Sequence, residues 1–148
     1  MKTIERTIQK RIESVLFQGK IVIIYGARRV GKTTLVKQIE QKFKEKSLYL
    51  NCDEPDIRRA LSNKTSTEIK SFFGSHQLVI IDEAQRIQDI GLVLKLVVDN
   101  FPKIQIIATG SSSFDLSNQT IEPLTGRKYE FHLYPLSLEE LKNLYNKR

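Results

Sequence analysis

Residues 26–33, Gly-Ala-Arg-Arg-Val-Gly-Lys-Thr, stand between five continuous apolar residues, Ile21-Val22-Ile23-Ile24-Tyr25, and a segment with helical spacing. No other feature restricts the fold of this chain as much. The β-branched run predicts a strand buried on both faces. Leu35, Val36, Ile39 and Phe43 share one face of a helix predicted over 33–44. A strand that passes through a glycine turn straight into a helix is the first half of a βαβ unit, and such units build parallel sheets.

The rest of the chain keeps the same alternation. Ile4, Ile8, Ile12, Val15 and Leu16 predict an amphipathic helix over 3–17. Short strands are predicted at 48–50, at 78–81 ending on Asp82, at 104–109, and at 129–134 before Pro135, which cannot donate to a ladder. One or two short helices fit 55–73, and Ile90, Leu94, Val97 and Val98 mark another over 87–100. Residues 110–126 are rich in Ser and Gly and read as mostly loop. Ser137 and Glu140 form a capping box ahead of Leu141 and Leu144, which predicts a last helix. The class is α/β, a parallel sheet of about five strands covered on both faces. A ligand of such a sheet lies beyond the carboxyl ends of its strands, where the motifs below are expected to fall. With no repeat or linker, the 148 residues read as one domain.

The phosphate chemistry follows from the loop. It matches G-x-x-x-x-G-K-[ST] in the strand–loop–helix setting that the pattern requires. The glycines let backbone approach an anion closely, and successive N–H groups at a helix N-terminus form its nest. Gly26, Ala27, Val30 and Gly31 supply that backbone, Lys32 a charge for β/γ-phosphates, Thr33 a hydroxyl for Mg²⁺, and Thr34 a contact on the α-phosphate side. Arg28 and Arg29 can touch phosphate, a neighbouring subunit or solvent. Asp82-Glu83 caps an apolar strand: Asp82 suits Mg²⁺, and Glu83 suits a general base on the attacking water. Thr109 and Ser111, at the end of the next strand, are candidates for orienting that water, with ordinary turn chemistry as the alternative. Arg127, just before the last strand, can reach a γ-phosphate in its own site or across an interface between copies, or be a surface arginine.

Other readings are narrowed by what stands beside these motifs. Asp82 is followed by Glu83-Ala84-Gln85, without the glycine of small GTPases. Asn63-Lys64-Thr65-Ser66 lacks the aspartate of a guanine motif, so ATP is the expected nucleotide. A helicase needs a second motor domain, and a small-molecule kinase needs an arginine-rich lid and an acceptor pocket; neither is legible. The net charge of +7 favours anionic partners, but no Lys/Arg stretch alternates with aromatics, so nucleic acid is not specifically indicated. No apolar run approaches the roughly 20 residues of a membrane span. Cys52 is the one cysteine and reads as a small buried residue in a reducing, cytoplasmic compartment. His76 and His132 have no metal-ligand partner at useful spacing and read as structural.

Gly-Ala-Arg-Arg-Val-Gly-Lys-Thr-Thr-Leu, Ile-Ile-Asp-Glu-Ala-Gln, Ala-Thr-Gly-Ser-Ser-Ser and Leu-Thr-Gly-Arg…Tyr-Pro-Leu-Ser together resemble the prokaryotic AAA-type ATPases of AAA family 14, over nearly the whole chain. The resemblance implies a P-loop NTPase three-layer sandwich of ASCE type, strand order 5-1-4-3-2, with the phosphate loop on the central strand. It also implies Glu83 as the water-activating residue and Arg127 at an arginine-finger position. Such proteins usually continue into a helical lid and a nuclease-like C-terminal domain. The expectation is therefore an isolated ATPase core that powers or switches an attached or partner domain. The other reading is a nucleotide-dependent switch or binding module with negligible turnover.

Overall fold

A computed structural model describes residues 6–142 except Arg28, Ser112, Ile121 and 136–139, with side chains at 113–115 also left undescribed. Five strands, β1 (Ile21–Tyr25), β2 (Ser47–Asn51), β3 (Leu78–Asp82), β4 (Gln105–Gly110) and β5 (Lys128–His132), form one sheet in the order β2-β3-β4-β1-β5. Every pairing is parallel. This is the order 5-1-4-3-2 read from the other edge. β4, not β1, occupies the middle of the sheet, so the phosphate loop leaves an interior strand next to the edge strand β5 rather than the central strand that the resemblance implied.

Helices cover both faces because successive strand residues point to opposite sides. Val22, Ile24, Leu78, Ile80 and Ile107 pack with Ile12 of α1 (Gln9–Ser14) and with Leu35, Val36 and Ile39 of α2 (Lys32–Gln41). Ile21, Ile23, Tyr25, Val79, Ile81 and Ala108 face the other layer. That layer consists of α3 (Pro55–Leu61), α4 (Ser66–Phe73), α5 (Ile90–Asn100) and α6 (Ser113–Thr120). Each fully buried Ile or Leu contributes about 1.5–3 kcal/mol relative to exposure, and such residues make up more than half of both layers. α4 starts on a capping box, with the Thr65 hydroxyl accepting from the Glu68 N–H and the Glu68 carboxylate from the Thr65 N–H.

Two further expectations change, and another falls partly outside the described residues. The segment 110–126, read as loop, contains α6. Its polar sequence carries little helical periodicity; the helix is held by tertiary contacts, with Leu116 fully buried against Gly110 and the Gln119 carbonyl pressed on Gly91 of α5. A Cβ on Gly91 would lie 2.1 Å from that carbonyl oxygen, so the α5–α6 approach requires glycine. The first helix is short, Gln9–Ser14, followed by turns through Phe17. The last expected helix lies partly outside the described residues, Ser137 and Leu144 among them; residues 140–142 are helical, and the Glu140 carboxylate accepts from Arg6 and from the Thr7 N–H.

Candidate functional site

The carboxyl ends of β1, β3 and β4 meet at one rim, since Tyr25 pairs with Gly110 and Ile81 with Ala108. The loop leaving β1 is pinned there. Gly26 N–H donates to Gly110 O at 3.2 Å. A Cβ on Gly26 would stand 2.9 Å from Leu133 O and from Val30 Cγ2, so this position admits no side chain without displacement. Gly31 caps α2 at φ 99°, in the left-handed region that favours glycine. Arg29 holds φ 65° and is exposed, a strained non-glycine conformation of the kind found at ligand-binding turns. The Lys32 ammonium, with the residue only 4% exposed, turns back onto the loop and donates to Gly26 O at 2.8 Å and Ala27 O at 3.0 Å. Thr33 and Thr34 are exposed on the first turn of α2, and Arg28 lies outside the described residues.

Asp82, at the end of β3, is 2% exposed and accepts three hydroxyl protons. Thr33 Oγ1 donates to Oδ2 at 2.8 Å, Tyr49 OH to the same oxygen, and Thr109 Oγ1 to Oδ1. Thr109 also accepts from the Glu83 N–H at 3.0 Å, and it is fully buried. Its hydroxyl therefore positions the two acids rather than facing the groove. Glu83 sits at φ 58° and ψ 46°, left-handed for a residue with a side chain. Its Oε2 accepts from Gln85 Nε2 at 2.7 Å, and the same amide donates to Ser111 Oγ at 2.8 Å. Ser111 thus reaches Glu83 through Gln85.

Tyr49 and Gln85 carry no site role in the sequence reading. Strand alternation gives no means of telling that a β2 tyrosine meets the end of β3; register decides it, with Asn51 opposite Asp82. Burial, then the hydrogen bond to Asp82, pushes the Tyr49 phenol well above its usual range, and the Lys37 ammonium lies 3.5 Å from its ring centroid. Tyr49→Phe is expected to lower stability by about 2 kcal/mol, since a buried carboxylate loses a donor; a urea unfolding midpoint equal to the parent's would contradict this. Cys52 is fully buried, and burial, then the Asp82 charge, raises its thiol to about 12, an inert packed residue.

An open groove of about 550 Å³ joins Arg29, Gly31, Lys32, Thr33 and Thr34 to Glu83, Asp53 and Arg86. Arg127 is not among them. It precedes β5, its carbonyl accepts from Ile21 N–H at 2.9 Å, and its Nε donates to Asp99 Oδ1 at 2.7 Å. It lies at the amino edge of the sheet. β5 and its partner β1 each have 5 residues, roughly 16 Å of strand at about 3.3 Å per residue. The expectation that Arg127 serves its own site, at the carboxyl edge, is therefore overturned.

The loop is also braced from both chain ends. Arg6 and Glu140 form a buried ion pair at 3.1 Å, 8% and 5% exposed by side chain. Arg6 Nη1 donates to Val30 O at 2.6 Å and Nη2 to Tyr134 O. Breaking a buried pair strands its partner charge, so Arg6→Ala is expected to cost about 3 kcal/mol, a fall in Tm on the order of 10 °C, read by calorimetry. The histidines keep structural surroundings: His76 Nδ1 is 2.8 Å from Phe73 O, and His132 stacks on Tyr134. Among the described residues no helix is long and apolar enough to cross a membrane.

The family model for the AAA domain of AAA family 14 matches residues 18–142. The chain belongs to that family. AAA family 14 membership and the parallel sheet make it a P-loop NTPase domain, a class that binds nucleotide in general. Among curated proteins it is 32% identical over 144 residues to the uncharacterized protein MJ1544 of Methanocaldococcus jannaschii, covering 95% of this chain and 32% of that protein. It is 28% identical over 137 residues to the uncharacterized protein Rv2008c of Mycobacterium tuberculosis, covering 92% and 30%. The chain spans about a third of the length of the curated relatives it matches. Among solved structures, the Walker-type ATPase Paby2304 of Pyrococcus abyssi superposes with TM-score 0.65 at 17% identity, over 98% of this chain and 59% of that one. A chain of the Drosophila ORC structure bound to AT-rich DNA and Cdc6 superposes with TM-score 0.62 at 13% identity, over 97% and 62%. At these identities the likeness is one of fold.

Proposed function

We propose that this domain binds ATP with Mg²⁺ and hydrolyses it, and that hydrolysis drives or switches an attached or partner domain. The observation that carries the reading is the Thr33–Asp82 hydrogen bond at 2.8 Å, with Glu83 next in sequence and Lys32 on the same groove. A hydroxyl beside a carboxylate is an all-oxygen donor set that suits a hard cation. Among the described residues there is no cluster of three or more His, Cys, Asp or Glu, in keeping with an ion held by one or two protein oxygens plus substrate phosphates. Thr33 and Asp82 would hold Mg²⁺, which when bound supplies charge neutralisation on the phosphate oxygens.

The protein's own part is positional and electrostatic. The loop N–H groups and Lys32 hold the β- and γ-phosphates; the ammonium exchanges its bonds to Gly26 O and Ala27 O for phosphate oxygens. Glu83 accepts a proton from the attacking water while the water oxygen bonds to the γ-phosphorus. The bond from that phosphorus to the bridging oxygen breaks, and its electrons leave on ADP. Ser111 and Thr109 act through Gln85 and through the Asp82–Glu83 backbone. From the amino edge Arg127 serves a second copy of the chain or stands as a surface arginine paired with Asp99. The protein is read as cytoplasmic, acting without a membrane.

One observation favours the second reading, a nucleotide-binding switch with negligible turnover: the Glu83 carboxylate is tied to Gln85 rather than free to meet a water. Fluorescent ATP titration together with phosphate release, each in Mg²⁺ and in EDTA, separates the two. Mg²⁺-dependent release supports the ATPase. Tight binding without release leaves the switch.

A further inference from the structure

With Arg127 at the far edge of the sheet, one cation besides Lys32 and Arg29 lines the groove among the described residues. That cation is Arg86. It follows Glu83 by three residues on a 3₁₀ turn, with its N–H bonded to Glu83 O at 3.1 Å, and its side chain lines the same wall as Glu83, Lys32 and Thr33. Among the described residues its one side-chain hydrogen bond runs from Nε to Asp53 Oδ1, at 2.8 Å. Asp53 lines the groove too, and its N–H is anchored on Asn51 Oδ1 at 3.0 Å. The pair is 45% and 56% exposed.

An ion pair this exposed is weakly held, whereas a planar guanidinium binds phosphate oxygens in a two-pronged geometry that a lone carboxylate contact leaves unused. The Asp53 carboxylate, meanwhile, repels any polyphosphate entering the groove. We propose that Arg86 is a catalytic arginine supplied in cis, held by Asp53 until a nucleoside triphosphate draws it onto the terminal phosphate. The inference rests on the nucleotide-hydrolysing reading above and adds a named discriminator between triphosphate and diphosphate. Arg86 transfers no proton. It donates hydrogen bonds to γ-oxygens whose charge rises as the bond to the bridging oxygen breaks, and a diphosphate offers it nothing.

The test uses the whole chain with Mg²⁺, titrating the non-hydrolysable triphosphate AMP-PNP and, separately, ADP. Arg86→Ala is expected to weaken AMP-PNP about tenfold while ADP stays within about twofold, and to slow phosphate release roughly a hundredfold or more. Asp53→Asn is expected to tighten AMP-PNP by about threefold more than ADP, because the charge that repels both nucleotides and the competitor for Arg86, which concerns only the triphosphate, are removed together. Equal losses for the two nucleotides with Arg86→Ala, or no greater gain for AMP-PNP than for ADP with Asp53→Asn, would overturn the proposal while leaving the nucleotide site intact. Failure of the parent chain to bind either nucleotide would instead remove the functional reading itself.

Discussion

Lys32→Ala is expected to abolish measurable ATP binding, with affinity reduced at least about a hundredfold by calorimetric titration. The ammonium is nearly buried yet bonded to two carbonyls of its own loop. It is therefore held at the mouth of the nest and can move onto phosphate oxygens without rebuilding the loop. Two charge-assisted hydrogen bonds are worth about 1.5–3 kcal/mol each, and losing both corresponds to the hundredfold or larger loss. Alanine keeps good helix propensity at this first position of α2. The melting temperature should thus stay within a few degrees of the parent, and retained affinity in a folded variant would count against the phosphate-loop assignment.

Glu83→Gln is the second large effect. The amide keeps the shape and a hydrogen-bonding end for Gln85, so the left-handed turn at φ 58° has no reason to relax. What it lacks is a basic carboxylate. A positioned general base contributes typically 10²–10⁴-fold, so phosphate release is expected to fall by roughly that factor while ATP affinity changes less than about threefold. A drop in turnover without a drop in affinity is the signature of a group acting only in the transition state. Phosphate release at the parent rate would exclude Glu83 as the base.

These two predictions concern residues that were readable at once, and the reason is local. Lys32 and Glu83 belong to short stretches whose chemistry depends on contiguous residues, a glycine turn opening a helix and an acid pair ending an apolar strand. Tyr49, Gln85, Arg86 and the Arg6–Glu140 pair carry no such signature. Arg6 and Glu140 lie 134 positions apart and meet only because β5 returns beside β1 and brings the chain's two ends to the same loop. The same pairing moved Arg127 away from its expected place, since the beginning of a parallel strand always lies opposite the rim where its neighbours end.

The apolar runs and their spacing determined the α/β class, the parallel sheet and the phosphate loop, because burial on both faces and the 3.6-residue period are properties of neighbouring residues. Only the tertiary structure decided that 113–120 is helical, where Leu116 and the glycines of β4 and α5 supply what local periodicity lacks. Only it decided which hydroxyls surround Asp82 and which arginines face the groove. Those contacts join β2, β3, β4 and α2, from distant parts of the chain, and their geometry is set by strand register and twist rather than by any run of sequence.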